Sequence, residues 1–362
     1  MKTKKSELLT VALFCGFLLA MALGYLFFPK KAFSETEKRY LAQFPQLDWA
    51  DVSSGAWGDD AETYMADHIP GRNFFVGLNA YFELFTGRQV SKDIWVTQGR
   101  LMEAPTACED GTVQRNMDVI NDFADGLDRK VDLMIVPSTG WAAGRTEYLD
   151  ESIIDGIHAL AGQNLNPVDV RSVFAGKPEL FYQTDHHWNS RGAYAAYEAY
   201  MTGTGRDFRP MEAFEKTTYG GFRGSTYSRS ALWLTKAEDL ELWQGGEDLT
   251  VTNSEQEGTH SGVFYWERLE EADKYTVFLD GNHSLVRIHN PAAEGKLLVI
   301  RDSFSNCLGC FLAESYGEVV LVDLRYYKQP VSELADLEQF DSILVCYSIG
   351  NFLTDANILW LR

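Results

Sequence analysis

Four short runs of aliphatic residues, each ending at a polar loop, constrain the fold of this chain more than any other feature of its sequence. Their sequences are VDLMIV, KLLVI, VVLV and SILVC, at Val131–Val136, Lys296–Ile300, Val319–Val322 and Ser342–Cys346. Runs of this length without alternating polarity are typical of strands buried on both faces, which occur in parallel sheets covered by helices. Helical spacing of apolar residues at 112–127 and 308–316 supplies such helices. The sequence therefore predicts an α/β fold.

Three of these runs lead into polar residues that are candidates for a site. Ser303 follows the run at 296–300, Arg325 follows the run at 319–322, and Tyr347 follows the run at 342–346. In open α/β sheets, ligands bind beyond the carboxyl ends of the strands. We therefore expect these three side chains to lie along one edge of the sheet.

The remaining segments have a different character. Residues 33–51 read as an extended polar lead-in, and residues 55–85 read as helical, with aromatic residues at three- and four-residue steps. Residues 206–290 contain a glycine-rich stretch at 219–224, predicted to be a flexible loop, and an aromatic run at 263–266, predicted to be a strand. We interpret 206–290 as a β-rich insertion that walls or covers the site.

The first 32 residues predict a membrane segment. Lys2, Lys4 and Lys5 precede the charge-free stretch Leu8–Phe28, which is long enough to cross the roughly 30 Å hydrocarbon layer as a helix. Positive charge ahead of such a segment favours a single-pass anchor with residues 33–362 outside the cell membrane. The alternative is a secreted protein, since Ala20-Met21-Ala22 has the small-x-small form that signal peptidase cleaves.

Composition limits the partners and the cysteine chemistry. The chain has 362 residues, with 52 acidic and 32 basic side chains and a formal charge of −20. This charge opposes binding to nucleic acid and favours a neutral or cationic substrate. Four cysteines outside the membrane segment are too few for a disulfide scaffold, so we expect small buried apolar residues with at most one disulfide at Cys108, Cys307, Cys310 and Cys346.

The stretch TDHHWNSRGAY, residues 184–194, carries the candidate chemistry. Asp185 and His187 are two residues apart in a loop ahead of a predicted helix at 191–201, with Asn189 or Ser190 as its cap. Asp185 could therefore hold one nitrogen of His187 while the other nitrogen faces a nucleophile. Ser303 is the candidate nucleophile, because a hydroxyl at a strand-to-helix turn lies near backbone N–H groups and a positive helix end.

Other interpretations of these residues remain open. Ser303 could serve only as a helix cap. Asp185, His186 and His187 could instead hold a metal ion, with help from Asp302, since imidazole and carboxylate suit zinc or iron. Trp188 is expected in the core or in a pocket wall, and His186 could simply be packed against the site.

The same residues resemble a known family. Thr184-Asp185-His186-His187-Trp188 looks like the signature of the DHHW protein family, and Asp302-Ser303-Phe304-Ser305 resembles its GDSF-type nucleophile block, with Arg301 where glycine is usual. Residues 34–41 are similar to the family's ENR-like start, and residues 323–327 resemble its downstream block. That family in turn resembles the SGNH-hydrolase-like domain of the exported alginate O-acetylation proteins.

The resemblance implies a fold, a site and a function. The fold would be an SGNH-hydrolase-like (flavodoxin-like) parallel sheet within residues 33–362, and the catalytic residues would be Ser303, His187 and Asp185. The remaining site candidates are the oxyanion donors and substrate contacts Phe304, Arg325, Tyr347, Asn282, Asn351, Trp188 and His186. The implied activity is acetyl transfer to an extracellular polysaccharide, without a cofactor and with a membrane-bound O-acyltransferase as acetyl source. A carbohydrate O-acetylesterase and a non-catalytic polysaccharide-binding or assembly protein are the alternatives.

Overall fold

The chain divides into two compact units. A computed structural model describes residues 2–97, 99–108, 111–246, 248–334 and 336–361. The first unit is Met1–Ser91 with Ser228–Leu234, and the second is Lys92–Tyr227 with Thr235–Arg362. The α-helices are Lys2–Phe27, Trp49–Ser54, Ala56–Asp67, Arg72–Phe85, Thr112–Asp125, Thr139–Ala142, Asp150–Ala159, Arg171–Phe174, Ser190–Gly203, Ser225–Ser230, Ser305–Leu312 and Ile349–Thr354.

The second unit is built on an eight-stranded sheet. In chain order its strands are β1 (Val131–Val136), β2 (Leu165–Pro167), β3 (Thr250–Asn253), β4 (His260–Ser261), β5 (Leu285–His289), β6 (Lys296–Arg301), β7 (Glu318–Val322) and β8 (Ser342–Ser348). Their spatial order is β4-β3-β5-β7-β6-β8-β1-β2. The strands from β7 to β2 in this order are parallel, and β3, β4 and β5 form an antiparallel edge. The prediction of an α/β fold with a mostly parallel central sheet is confirmed.

Alternate residues of each central strand are buried on opposite faces of this sheet. Val299 and Cys346 belong to one core cluster, together with residues of the helices Ser190–Gly203 and Ser305–Leu312. Ile300 belongs to the other cluster, together with residues of the helix Ile349–Thr354. The central strands therefore bury apolar surface on both sides, which explains their unbroken aliphatic sequences.

The adjacent strands β6 and β8 lead into helices on opposite faces of the sheet. The helix after β6 lies in the first core cluster, and the helix after β8 lies in the second. A crevice opens where neighbouring connections diverge in this way, and ligands of open α/β sheets bind there. Ser303 follows β6 at this position.

Three predicted elements need correction. The helix predicted at 308–316 is Ser305–Leu312, so it begins directly after Ser303 and Phe304. The stretch at 219–224, predicted to be a flexible loop, lies largely in a strand that pairs with a second strand of residues 206–290. The aromatic run at 263–266 forms a single bridge from Phe264 to Phe278 and then enters a 3-10 helix.

Short strands and 3-10 helices complete the described chain. The strands outside the central sheet are Phe33–Ser34, Arg39–Tyr40, Val90–Ser91, Ile94–Thr97, Arg100–Glu103, Glu215–Phe222 and Glu238–Gln244. The 3-10 helices are Pro178–Leu180, Met211–Ala213, Trp266–Glu270, Lys274–Val277, Val331–Glu333, Leu337–Gln339 and Asn357–Leu361. Residues 206–290, of which Glu247 lies outside the described residues, thus supply β3, β4 and β5 to the central sheet as well as a separate hairpin.

The first unit is helical and carries the membrane candidate. Lys5–Phe27 is long and apolar enough to cross a membrane by length and composition. The region predicted as helical at 55–85 is two helices separated by residues 68–71, of which Gly71 has a φ of 71°. The predicted extended lead-in forms a two-strand hairpin at 33–34 and 39–40.

An ion-pair network holds this lead-in against the helices of the first unit. Arg39 donates to both carboxylate oxygens of Asp67, at 2.9 and 2.5 Å, and Glu37 pairs with both Arg39 and Arg72. Hydrogen bonds from Arg39 outweigh burial and lower the pKa of Asp67 to about 2. The segment that resembles the ENR-like start therefore has a structural role within this unit.

Candidate active site

Asp185, His187 and Ser303 form a continuous hydrogen-bonded chain. The Nδ1 of His187 lies 2.5 Å from Asp185 Oδ1, and its Nε2 lies 2.8 Å from Ser303 Oγ. All three residues are buried. In this order of contacts, a carboxylate can orient an imidazole and the imidazole can accept the hydroxyl proton of a serine.

The loop before the helix Ser190–Gly203 places the histidine. Asn189 caps that helix by accepting from the Gly192 N–H at 3.1 Å. Trp188 donates its indole N–H to the Phe304 carbonyl at 3.0 Å, and its ring is completely buried in the core. This hydrogen bond fixes the histidine loop directly to the loop that carries Ser303.

Glu238 holds the residues just before the aspartate. Its carboxylate accepts from the backbone N–H of Gln183 and from both the N–H and the hydroxyl of Thr184, at 2.8, 2.7 and 2.6 Å. Burial raises the pKa of Glu238, and these donors oppose the rise. The sequence interpretation missed this residue, because a lone glutamate at the start of a distant strand carries no motif.

A close backbone approach holds the far side of Asp185. Its Oδ2 accepts from the Ser225 N–H at 2.6 Å, and its Oδ1 accepts from the His187 N–H at 2.9 Å. A Cβ added at Gly224 would lie only 2.2 Å from the Cβ and the Oδ2 of Asp185. The glycine-rich stretch at 219–224 therefore ends in a position where no side chain fits, a role that a glycine in the sequence could have suggested.

The contacts of Asp185 and His187 determine the protonation states of these two side chains. Burial alone would raise the pKa of Asp185, but the attraction of His187 and His186 and the hydrogen bonds from His187 hold it well below its ordinary value. Burial lowers the pKa of His187, and the nearby His186 lowers it further. A neutral His187 with its proton on Nδ1 satisfies both neighbours, which leaves Nε2 to accept from Ser303.

Tyr275 covers the imidazole from a 3-10 helix that the sequence interpretation did not connect with the site. Its ring stacks on His187 with centroids 4.0 Å apart and an interplanar angle of 6°. Its hydroxyl lies 3.5 Å from the Ser303 carbonyl oxygen. This contact excludes water from one face of His187 and keeps the ring in the plane of its two hydrogen bonds.

Asp302 ties the loop that carries Ser303 to the end of β8. Its Oδ2 accepts from the N–H and hydroxyl of Ser348 and from the side-chain amide of Asn351, at 2.8, 2.7 and 2.8 Å. Its Oδ1 accepts from the Phe304 N–H at 3.0 Å. The Phe304 N–H, expected to stabilise an oxyanion, is therefore already committed to a carboxylate.

Three further residues that were expected at the site do not line the cavity described below. Tyr347 is completely buried in the core, and the residue of β8 that lines the cavity described below is its neighbour Ser348. Arg325 is paired with the buried carboxylate of Asp323 at 2.6 Å. The side-chain oxygen of Asn282 accepts from Asn306 at 3.0 Å.

Arg301 replaces the glycine of the related motif without disturbing the strand. It is the last residue of β6 and pairs with Cys346 across the sheet. Its guanidinium is fully buried, donates to Asn306 at 2.6 Å and lies 3.9 Å from Asp323. Through Asn306, Arg301 supports the first turn of the helix after Ser303.

An open cavity of about 610 Å³ lies beside this chain of residues. His186, Phe304, Ser348 and Asn351 line it next to the histidine and serine loops. Acidic side chains also line it, and no lysine or arginine is among the described residues that do so. These acidic residues, here called the acidic wall, are Glu103, Glu147 and Asp150.

The alternative metal site uses the same side chains. Possible ligand atoms of Asp185, His186 and His187 lie within 4.8 Å of one another. However, both oxygens of Asp185 already accept N–H donors, and the Nδ1 of His186 lies 2.6 Å from the Ser225 hydroxyl. A metal ion would have to displace these contacts, so the geometry favours the serine chain over the metal site.

The cysteines take no part in the chain of Asp185, His187 and Ser303, although Cys108 is among the residues that line the cavity. Cys307, Cys310 and Cys346 are buried, and Cys15 and Cys108 are exposed. No disulfide joins any two of these cysteines in the described chain. Burial raises the pKa of Cys346 to about 12, which keeps this thiol protonated and unreactive.

Comparisons with known proteins relate the chain to one family. Residues 171–322, which include the stretch 184–188 and Ser303, match the DHHW protein family model. The resemblance to the DHHW family is confirmed. The DHHW match contains both loops that meet at the candidate site, while the acidic wall lies outside it. No curated protein sequence matches this chain significantly.

Two solved structures share the fold at low sequence identity. A DHHW family protein from Eubacterium siraeum superimposes with a TM-score of 0.64 at 19% identity, over 75% of this chain and 95% of its own. PatB1 from Bacillus cereus gives a TM-score of 0.61 at 19% identity, over 73% of this chain and 98% of its own. The O-acetyltransferase domain of Pseudomonas putida AlgJ gives a TM-score of 0.43 at 14% identity, over 72% of this chain and 92% of its own.

Proposed function

We propose that this protein is an extracytoplasmic serine acyltransferase of SGNH-hydrolase-like type that O-acetylates a cell-surface or secreted polysaccharide through an acyl-serine intermediate. The observation that carries this proposal is the unbroken chain Asp185–His187–Ser303, which ends beside an open cavity at the carboxyl end of β6. A purely capping serine would need neither the buried imidazole nor the carboxylate behind it.

The proposed reaction proceeds in two half-reactions. Ser303 Oγ attacks the carbonyl carbon of an acetyl ester while its proton passes to Nε2 of His187. The tetrahedral intermediate then collapses, the bond to the donor oxygen breaks, and that oxygen takes the proton from His187. In the second half-reaction a sugar hydroxyl gives its proton to His187 and attacks the carbonyl carbon of the acetyl-serine. This second tetrahedral intermediate collapses, the bond to Ser303 Oγ breaks, and Oγ takes the proton from His187, which regenerates the Ser303 hydroxyl and releases the acetylated sugar.

Each neighbouring group has a role in this scheme. Asp185 holds the Nδ1 proton of His187 and stabilises the imidazolium that forms transiently. The helix Ser305–Leu312 directs its positive end toward the nucleophile loop, where negative charge develops on the oxyanion. The Ser303 N–H is the proposed backbone donor, because the Phe304 N–H is used by Asp302.

The acceptor and donor follow from the cavity and the compartment. An acidic cavity wall disfavours an anionic polymer and suits a neutral or cationic sugar. Outside the cell membrane there is no coenzyme A pool, so the acetyl group would come from a membrane-bound O-acyltransferase. An uncleaved anchor at Lys5–Phe27 would raise the effective concentration of Ser303 near that partner.

A serine reagent provides the first test. Bacillus cereus PatB1, which shares the fold, has also been solved with a sulfonyl adduct. An activated serine attacks sulfonyl fluorides and releases fluoride. The purified full chain should therefore gain one sulfonyl group at Ser303 with phenylmethylsulfonyl fluoride, as measured by mass spectrometry.

Ser303→Ala should abolish this labelling and lower the release of nitrophenol from 4-nitrophenyl acetate by about a thousandfold or more. Ser261→Ala, at an exposed serine of β4, is the matched control and should retain both properties. Unchanged ester cleavage in Ser303→Ala would eliminate the serine mechanism, and loss of cleavage on addition of a chelator would favour the metal site.

The direction of transfer requires a cellular test. Deleting the gene should lower O-acetylation of a surface polymer, and the Ser303→Ala chain should not restore it. A rise in acetylation after deletion would show an esterase. Full rescue by Ser303→Ala would show a binding or assembly protein.

A further inference from the structure

The helix Arg72–Phe85 of the first unit has three distinct faces. Successive residues of an α-helix are separated by about 100° around its axis. Gly77 and Ala80 form the face that is buried within the unit, and a Cβ at Gly77 would lie 2.8 Å from the Trp233 ring. Trp233 also donates its indole N–H to the Asn73 carbonyl at 2.8 Å. This face anchors the helix rigidly to its own unit.

A second face of this helix is apolar and exposed. It consists of Phe74, Phe75, Leu78, Phe82 and Phe85, which fall within an arc of roughly 100°. Phe85 is 88% exposed, Phe74 is 67% exposed and Phe82 is 63% exposed. Four phenylalanines on one exposed face gain no free energy from apolar burial unless another molecule covers them. The third face carries Arg72, Asn79 and Glu83.

The start of this helix lies against the outer end of the membrane candidate. A Cβ at Gly24, in the last turn of the N-terminal helix, would lie 3.0 Å from the Pro70 ring. His68 Nε2 lies 3.2 Å from the Lys31 carbonyl oxygen just beyond that helix. The aromatic helix begins two residues after Pro70, so its first turn lies at the level where the membrane helix would leave the bilayer.

We infer that the exposed face of Arg72–Phe85 lies in the lipid headgroup layer on the outer side of the cell membrane, next to the N-terminal helix. Phe and Leu are typical of the apolar face of interfacial helices, and a helix with an apolar arc beside a polar face lies in the plane of the interface. Because this face begins next to the end of the membrane helix, the molecule that covers it is lipid. The inference depends on the anchor proposed above and does not depend on the triad.

Site-directed spin labelling of the full chain in lipid nanodiscs tests this inference. The Cys15→Ser, Cys108→Ser chain, in which the three remaining cysteines are buried, should take up no thiosulfonate spin label. Phe82→Cys in this background places a label on the apolar face, and Asn79→Cys places one on the polar face of the same helix. Cys15 in the Cys108→Ser chain reports from the middle of the N-terminal helix.

The readout is the collision rate of each label with oxygen, which concentrates in lipid, and with a water-soluble nickel chelate. The label at position 82 should collide at least threefold more with oxygen relative to nickel than the label at position 79. Equal oxygen-to-nickel ratios at positions 82 and 79 would overturn the inference. Protection of position 82 from both reagents would also overturn it, because a protein partner or a second copy would then cover this face. A water-like ratio at Cys15 would instead contradict the anchor, and with it the inference.

Discussion

Replacing Gly224 by alanine should disable the site although Asp185, His187 and Ser303 themselves stay unchanged. The added Cβ would lie 2.2 Å from the Cβ and Oδ2 of Asp185. Non-bonded carbon atoms rarely approach closer than about 3.5 Å, so Asp185 or the Gly224 backbone must move by roughly 1.3 Å. Either movement disrupts the 2.6 Å hydrogen bond from the Ser225 N–H and the 2.5 Å contact with His187.

The size of the effect follows from this displacement. A misplacement of about 1 Å can cost a hundredfold in rate, and loss of a correctly oriented triad carboxylate costs about 10⁴-fold. We therefore expect Gly224→Ala to lower the rate of 4-nitrophenyl acetate cleavage by about 10²- to 10⁴-fold. The rate of labelling of Ser303 by phenylmethylsulfonyl fluoride should fall in parallel, because both reactions need the same imidazole.

Gly220→Ala is the matched control in the same stretch. A Cβ at Gly220 would meet only Asp239 Oδ1, at an ordinary contact distance of 3.6 Å. This variant should keep wild-type cleavage and labelling rates. Thermal unfolding of both variants separates a local defect from a failure to fold. A folded Gly224→Ala chain with wild-type rates would refute the role assigned to Asp185.

Two further predictions concern the histidines. His187→Ala should reduce ester cleavage as much as Ser303→Ala. His186→Ala should reduce it much less, because His186 contacts Ser225 and not Ser303. Equal losses of activity in the two histidine variants would point to paired metal ligands. The pKa of His187 lies below its ordinary 6.5 because the imidazole is buried. The cleavage rate should therefore be constant above about pH 6.5. It should fall only at lower pH, because protonation of His187 removes the base. A pH–rate profile of kcat/KM whose acid limb lies above pH 6.5 would contradict the buried, neutral imidazole.

Much of the central sheet could be predicted from the sequence, because buried strands and polar loops leave strong local patterns. The aliphatic runs at 131–136 and 342–346 lie within β1 and β8. The contact between Asp185 and His187 could also be predicted, because two residues in one short loop are necessarily close. Their contact with Ser303 was expected because a serine at a strand-to-helix turn needs a base, and the family resemblance implied the same three residues.

The rest of the site depends on contacts that no local pattern specifies. Glu238 and Tyr275 reach the triad loops from separate elements of residues 206–290, and neither has a distinctive sequence context. Tyr347 was expected at the crevice, but successive residues of a strand point to opposite faces, so Ser348 is placed there instead. The helix after Ser303 begins earlier than predicted, because its first turn is made of small and polar residues without an apolar period.

The hydrogen bond from Ser303 to His187 joins residues 116 positions apart, and the bond from Ser348 to Asp302 joins residues 46 positions apart. Contacts this distant in sequence form late, after the loops between them have closed. Ser303 therefore has no contact with His187 until the chain between them has folded. On the proposed function, a chain that crosses the membrane unfolded would be inert toward acyl esters, and ester cleavage outside the membrane would report that the polypeptide has finished folding.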